Sequence, residues 1–276
     1  MEVRGLPICG PEYVGEAPMV ALAQRYRVAA EDLDGWAVAV NLTRSGCRIV
    51  DPGLRFYAEK LAARAVLGRA ARLVGPLRGA THVVREHLRE PFAEPGDWVL
   101  AHREERRHQV VLMVDTSLSM SGENMAIAAT AAAVLALKLR PEDLSVVVFE
   151  DKATAVAHLE VAEPAEEVVR RMLDQPVRGY TNIATALELG AAELERGRNP
   201  RRSALLITDG VVTAGKDPLP LAHRFSRLFV LLTEDYKMDP ELCRRLADAG
   251  GGDVFPVRAY RDLPARMLDV ANRVLR

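Results

Sequence analysis

Apolar segments alternate regularly with helical patterns from Gln109 to the end of the chain. Buried strands are predicted at about 110–114, 144–149, 204–208, 228–232 and 253–257, with helices at about 123–139, 165–174, 183–196, 218–226, 240–249 and from 262. A segment at 153–159 alternates around a polar turn, which predicts a short antiparallel edge strand. Parallel strands need long crossover connections, so this alternation indicates a mainly parallel sheet with helices on both faces. The sequence predicts a doubly wound α/β sandwich.

Polar side chains follow the first strand at alternate positions. In VVLMVDTSLSMSG, Val110 to Gly122, the apolar run ends at Asp115, and Ser117 and Ser119 follow. Carboxylate and hydroxyl oxygens of this kind suit a hard divalent cation such as Mg²⁺. The pattern predicts a metal site rather than a nucleophile.

Two distant segments each offer another oxygen after a structural break. RGYTNI places Thr181 in a loop before a helix, and SALLITDG places Asp209 at the end of another apolar strand. Ligand crevices in open α/β sheets lie beyond the carboxyl ends of the strands. The spacing is therefore compatible with one shared site.

The combination of Asp115-x-Ser117-x-Ser119, Thr181 and Asp209 resembles the metal-ion-dependent adhesion site of von Willebrand factor A (VWA) domains. The resemblance covers roughly residues 105–276 and implies a VWA or Rossmann-like sandwich. It implies that both serines coordinate the cation directly, the threonine directly or through water, and the two aspartates often through water. It also implies Mg²⁺, with Mn²⁺ or Ca²⁺ as alternatives, and a partner protein whose Asp or Glu carboxylate fills the remaining position. Many members have Gly where this chain has Leu118, so the loop is bulkier at its rim.

A capping role is the alternative for these hydroxyls. Asp and Ser often follow strands as turn residues and helix N-caps, where they accept hydrogen bonds from free N–H groups. Ser119 or Ser121 could cap the next helix in this way. The order of the three segments along the chain favours the metal site.

Three enzyme classes also place functional groups after a first strand. A haloacid-dehalogenase-like phosphohydrolase would need a second acid two residues after Asp115, where this chain has Ser117. A Rossmann dehydrogenase would need a Gly-rich turn directly after the strand, and a P-loop enzyme would need GxxxxGK[ST], which does not occur. We expect no catalytic residues and no enzymatic activity. The phosphohydrolase and a structural scaffold with an unused metal site are the alternatives to a binding function.

Charge and cysteine usage constrain partners and compartment. A net charge of −1 gives no basic footprint for nucleic acid or an anionic membrane, so neither partner is expected. The three cysteines are widely separated and lack CxxC spacing, which argues against a disulfide framework or a zinc site. With no signal-peptide pattern in MEVRGLPICG and no spanning segment, a cytoplasmic location is expected.

The N-terminal part has a different character. Residues 1–90 are predicted to be a helical region without paired strands, with its clearest helix at 52–74 between an Asp51 N-cap and a Gly75-Pro76 stop. Residues 91–108 read as a charged linker, and 109–276 as the VWA-like domain. In the linker, Arg103, Arg106 and Arg107 are either solvated or a docking patch for an acidic partner, and the sequence leaves both open.

A finer resemblance concerns the subfamily. LLITDGVVTAGKDPLPLA, LADAGGGDVFPV and RDLP look like prokaryotic VWA proteins that work beside MoxR-type AAA+ ATPases, and are similar to the VWA domain of the magnesium chelatase D subunit. This resemblance implies an adaptor that binds an acidic residue of a client or ring subunit while the ATPase supplies force for maturation or metal insertion. Family members can also shift their last helix, here 262–276, although core packing is the simpler role for an amphipathic helix.

Overall fold

The computed structural model describes residues 2–3, 6–7, 35–43, 52–77, 107–175, 179–233, 237–258 and 262–274. Its strands are β1 (Glu2–Val3), β2 (Leu6–Pro7), β3 (Gln109–Asp115), β4 (Leu144–Phe149), β5 (Ala153–Ala157), β6 (Arg202–Thr208), β7 (Leu228–Thr233) and β8 (Val254–Val257). Its α-helices are α1 (Gly35–Leu42), α2 (Pro52–Leu77), α3 (Glu123–Lys138), α4 (Ala165–Leu173), α5 (Ile183–Arg196), α6 (Leu219–Ala222), α7 (Pro240–Ala249) and α8 (Leu263–Val274).

Six strands form one mainly parallel sheet in the order β5-β4-β3-β6-β7-β8. Only β5 runs antiparallel to its neighbour, and it lies at the edge of the sheet. Strands β3 and β6 lie side by side in parallel, with Val114 opposite Ile207. The predicted α/β fold, with its antiparallel edge strand, is confirmed.

The central strands are buried on both faces. Val110, Leu112 and Val114 face one core, while Val111 and Met113 face the other. Helices α3, α4 and α8 cover the first face, and α5, α6 and α7 cover the second. This two-sided burial explains why the strands read as continuous apolar runs.

The alanine-rich helix α3 packs closely on the sheet. The eight residues from Ala126 to Ala133 are all buried. Small side chains allow this close approach, and they leave the outer side of α3 to be covered by α2. The site loop between β3 and α3 is thereby attached to a rigid helix.

Helix α2 joins the N-terminal region to the sandwich. Ala58, Ala62 and Val66 of this helix are fully buried. Beside them, the buried Glu59 carboxylate accepts hydrogen bonds from Arg55 at 3.0 Å and from Arg170 of α4 at 3.0 Å. Helix α2 is therefore held both by apolar contact and by a bridge to α4.

The chain ends in a helix that contributes to the core. Leu263, Met267, Val270 and Val274 of α8 are fully buried. At the last of these residues, the carbonyl of Val274 accepts a hydrogen bond from Ser203 Oγ at 3.1 Å. The expected packing of this helix into the core is confirmed.

The buried imidazole of His108 adds to the contact between Ser203 and the end of α8. His108 Nε2 lies 2.9 Å from Ser203 Oγ, and because the serine donates its proton to the Val274 carbonyl, Nε2 acts as the donor. Burial, followed by the nearby charges of Arg227 and Arg201, lowers the pKa of His108 to about 4. His108 is therefore neutral near pH 7, with its proton on Nε2 where it is donated to Ser203 Oγ.

Three details of the prediction are wrong. Residues 1–90 do contain paired strands, because β1 and β2 pair antiparallel over two residues each, too few to leave an alternating pattern. Helix α2 continues through Gly75-Pro76 to Leu77, because a proline in the last turn removes only one backbone hydrogen bond. The predicted helix at 218–226 shortens to α6, since the turn after it uses i to i+3 bonds such as Phe225 N–H to Ala222 O at 3.1 Å.

The predicted linker lies largely outside the described residues, including Arg103 and Arg106. Arg107 is described, and its guanidinium donates to the buried carboxylate of Asp143 at 2.8 and 3.0 Å. This side chain is thus engaged within the domain. The helices of the described segments include none with the length and apolar composition needed to span a bilayer.

Candidate metal centre

The site lies where β3 and β6 end side by side. The register that sets Val114 opposite Ile207 brings Asp115 next to Thr208, the last residue of β6. Thr208 Oγ1 donates to Asp115 Oδ2 at 2.6 Å, and Ser117 N–H donates to Asp115 Oδ1 at 2.9 Å. Both carboxylate oxygens are therefore fixed by neutral donors.

Asp115 is a fully buried acid without a basic partner among these contacts. Burial raises the pKa of its carboxyl to about 6, and the charge of Asp209 adds to the shift, against the hydrogen bonds from Ser117 and Thr208. Two buried carboxylates that repel each other are a costly arrangement without a compensating positive charge. A divalent cation would supply that charge.

The loop after β3 presents both motif serines. Residues Leu118–Met120 form a single 3₁₀ turn, and across it Ser117 Oγ lies 3.1 Å from Ser119 Oγ. Helix α3 is capped by Gly122, whose φ of 80° is a left-handed conformation, and no side chain makes the cap hydrogen bond. The capping interpretation of Ser119 and Ser121 is therefore wrong, and the paired hydroxyls are left for another role.

Asp209 carries the least satisfied polar atom of the site. Its Oδ1 accepts a hydrogen bond from Val211 N–H at 2.9 Å. Its Oδ2 is buried and has no hydrogen-bond partner among the described residues. Buried polar atoms are almost always partnered, so a lone carboxylate oxygen here indicates a ligand position.

The loop before α5 holds Thr181 against the segment that follows Asp209. Thr181 N–H donates to Thr213 Oγ1 at 2.8 Å, and the Thr181 carbonyl accepts from Thr213 N–H at 3.0 Å and from Ala214 N–H at 3.2 Å. Asn182 then caps α5 by accepting from Thr185 N–H at 3.4 Å. These contacts place the buried Thr181 in a loop joined to the one that carries Asp209.

The donor set fits a hard cation. The five predicted residues supply two carboxylates and three hydroxyls, the oxygen ligands that Mg²⁺ prefers. Within the described residues no three His, Cys, Asp or Glu side chains cluster as a metal site, so a softer nitrogen or sulfur site is not formed there. The assignment of Asp115, Ser117, Ser119, Thr181 and Asp209 as metal ligands stays a prediction.

Sequence reasoning missed two supporting threonines. Thr208 ends the predicted strand at 204–208 and Thr213 belongs to no predicted motif, yet they bond Asp115 and Thr181 respectively. A threonine that closes an otherwise apolar strand directly before Asp209 was the available signal for Thr208. No comparable pattern marks Thr213, because its contact depends on how two distant loops fold.

Gly210 makes the tight turn behind Asp209. Its φ is 82°, and a Cβ atom at this position would lie 2.6 Å from the Asp239 carbonyl and 2.7 Å from Cys243 Sγ. The backbone N–H of Asp239 also donates to the Asp209 carbonyl at 2.9 Å. Burial and the nearby acids raise the pKa of Cys243 to about 12, so this thiol stays neutral beneath the site.

Comparison with known proteins agrees with this geometry. Residues 110–211 match the family model of the von Willebrand factor type A domain. Residues 110–211 therefore resemble a VWA domain in sequence. No curated protein matches the sequence.

Solved VWA structures share the fold at low sequence identity. A von Willebrand factor type A protein from Catenulispora acidiphila is 17% identical, with a TM-score of 0.51 over 63% of this chain and 44% of that one. Proximal thread matrix protein 1 from the mussel byssus is 18% identical, with a TM-score of 0.51 over 61% of this chain and 48% of that one. Another structure of the mussel protein has a zinc-occupied MIDAS motif, at 18% identity and a TM-score of 0.49, over 61% and 48% of the two chains.

Proposed function

We propose that this VWA domain is a divalent-cation-dependent protein-binding adaptor, without catalytic activity of its own. VWA domains often mediate metal-dependent protein interactions. The proposal rests above all on Asp209 Oδ2, a buried carboxylate oxygen with no partner among the described residues, in a site that also contains the paired Ser117 and Ser119 hydroxyls. These features together support a cation site that is open to a ligand from another protein.

Each residue would have a separate part in this function. Ser117, Ser119 and Thr181 would present hydroxyl oxygens to the cation, and Asp115 and Asp209 would supply the balancing negative charge. Thr208 and the Ser117 N–H fix the orientation of Asp115, a supporting role on which metal affinity depends strongly. When bound, Mg²⁺ offers a coordination position to an Asp or Glu carboxylate of a partner protein.

Calorimetric titration of the purified protein with Mg²⁺ and with Mn²⁺ tests the metal site. The Ser117→Ala/Ser119→Ala double variant and Asp209→Asn should lose binding, while their circular dichroism stays that of the wild type. Ser121→Ala is the matched control, because it removes a hydroxyl from the same loop but outside the motif, and it should bind as the wild type does. Absence of binding in the wild type, or equal binding in all variants, would leave the structural-scaffold alternative.

The partner system is the finer part of the proposal. We infer a MoxR-type AAA+ ATPase partner from the sequence resemblance at 205–222 and 246–257, with delivery of a client for maturation or metal insertion as the purpose. Biolayer interferometry against a purified MoxR-type ATPase from the same organism should detect binding in Mg²⁺ that is lost in EDTA. Binding that is equal in Mg²⁺ and EDTA would contradict a metal-mediated contact with the ATPase.

A further inference from the structure

Exposed apolar side chains concentrate around the candidate metal centre. Among the described residues, the large apolar side chains that are exposed are Phe56, Leu118, Leu137, Val161, Tyr180 and Met238. Leu118 and Tyr180 adjoin site residues in the chain, and Met238 adjoins Asp239, whose backbone contacts Asp209. We call Leu118, Tyr180 and Met238 the apolar rim.

Each rim residue is tied to the site by its neighbour. Leu118 lies between Ser117 and Ser119 and is 52% exposed, and Tyr180 precedes Thr181 and is 64% exposed. Met238 is 41% exposed and precedes Asp239, whose N–H donates to the Asp209 carbonyl. The rim therefore comes from three separate loops at the same edge of the sheet.

The remaining exposed apolar residues lie elsewhere and have local explanations. Phe56 is flanked by cations, with Lys60 Nζ at 4.9 Å and the Arg170 guanidinium at 5.8 Å from its ring centre. Leu137 and Val161 occur singly, at the end of α3 and in the turn after β5. Single exposed apolar residues are normal, whereas a group of them at a functional edge marks an interaction surface.

The metal centre and the apolar rim together define the class of ligand that this edge of the sheet would bind. A cation at the candidate centre would attract a carboxylate, and the rim would offer apolar surface to the side chains on either side of that carboxylate. A small carboxylate would leave the rim in water, while a peptide segment could cover it. Apolar contacts around a central charged contact also exclude water from it, which strengthens the contact.

We propose that the partner presents an Asp or Glu flanked by apolar side chains, and that the apolar rim selects this acidic and apolar segment over other exposed acids. This inference rests on the proposed metal-dependent function and names the class of partner for the same site. The partner carboxylate binds the cation, and apolar contacts with the rim determine which carboxylate-bearing segments bind more tightly.

Fluorescence anisotropy with labelled model peptides tests the selection in Mg²⁺. The probes are Ac-Leu-Ala-Asp-Ala-Leu-NH₂, the same peptide with serine in place of both leucines, and the leucine peptide with Asn in place of Asp. In the wild type the leucine peptide should bind about tenfold more tightly than the serine peptide, because a half-exposed rim recovers only part of the free energy of burying two leucines. The Asn peptide should not bind.

Variants show whether the rim is the cause. The leucine-to-serine affinity ratio should fall to near one in Leu118→Ser/Tyr180→Ser/Met238→Ser. It should persist in Leu137→Ser/Val161→Ser, the matched control that removes exposed apolar side chains away from the site. Using a ratio within each variant cancels any change in metal affinity, which calorimetry with Mg²⁺ measures separately.

Other outcomes overturn the inference in distinguishable ways. If Mg²⁺ binds but the two acidic peptides bind equally or not at all, the rim proposal is wrong and the metal site stands. If Mg²⁺ does not bind, the proposed function itself is wrong. If the protein instead forms dimers in sedimentation velocity that the rim variant abolishes, the occupant is a second copy of this chain rather than a different partner.

Discussion

Replacing Thr208 by Val tests the account of how the site is held together. The substitution keeps the shape of the side chain but removes a hydroxyl that donates to Asp115 Oδ2 at 2.6 Å and accepts from Gly210 N–H at 3.1 Å. Both losses occur in a fully buried place, where water cannot replace the hydroxyl.

The expected loss in free energy of unfolding comes from the Asp115 carboxylate and the Gly210 N–H, which both lose their hydrogen-bond partner. Asp115 Oδ2 loses its donor, and because this bond helps to hold the pKa of Asp115 down, the pKa should rise above about 6. Losing a hydrogen bond to a buried charged group costs about 1.5–3 kcal/mol. The Gly210 N–H loses its acceptor, which costs about 1–2 kcal/mol more. We expect the metal-free protein to lose about 3 kcal/mol of its free energy of unfolding, a large part of a typical total of about 5–15 kcal/mol.

Urea unfolding at pH 7 in EDTA, followed by circular dichroism, measures this loss. Thr208→Ser is the matched control, since it keeps the hydroxyl and removes one methyl group, at a cost of about 1 kcal/mol. Mg²⁺ affinity should also fall at least tenfold in the valine variant, about the effect of removing a group that orients a ligand. If Thr208→Val is as stable as Thr208→Ser, the hydroxyl does not support Asp115 and this reasoning is refuted.

Three further substitutions test other contacts by equilibrium unfolding. Gly210→Ala should destabilise the fold by more than about 2 kcal/mol through its positive φ and its backbone clash, whereas Gly68→Ala, in an open position on α2, should stabilise it by about 1 kcal/mol. Arg170→Met should cost about 3 kcal/mol because it removes a partner of the buried Glu59, and a cost near zero would show that the bridge to α4 is not needed. His108 has a lower pKa folded than unfolded, so the folded state binds fewer protons and stability falls by up to about 3 kcal/mol as the pH drops from about 6.5 to about 4. His108→Asn should flatten that fall, and an unchanged pH profile would contradict it.

The sandwich could be predicted because burial leaves a clear pattern in the sequence. Strands such as β3 are enclosed on both faces, so each reads as a continuous apolar run, and the predicted bounds of β4, α5 and α7 match those observed. Asp115 and Asp209 were predictable for a related reason. Each follows an apolar run directly, and the carboxyl ends of parallel strands meet at one edge.

Features that depend on which elements become neighbours could not be predicted in this way. The bond from Thr208 to Asp115 requires β6 to lie beside β3, although 86 residues separate the end of one strand from the start of the other in the chain. The sequence predicts a helix at 52–74 but not its packing partners, which are α1, α3 and α4. The unpartnered oxygen of Asp209 likewise becomes visible only when the surrounding donors are in place.

Diffraction from crystals grown with Mn²⁺, measured at the manganese absorption edge, tests the central claim most directly. We expect an anomalous peak bounded by the side chains of Ser117, Ser119, Thr181, Asp115 and Asp209. That peak should be absent from crystals of Ser117→Ala/Ser119→Ala. A well-ordered wild-type site with no anomalous peak, or with one only elsewhere on the protein, would contradict a cation centre at the ends of β3 and β6.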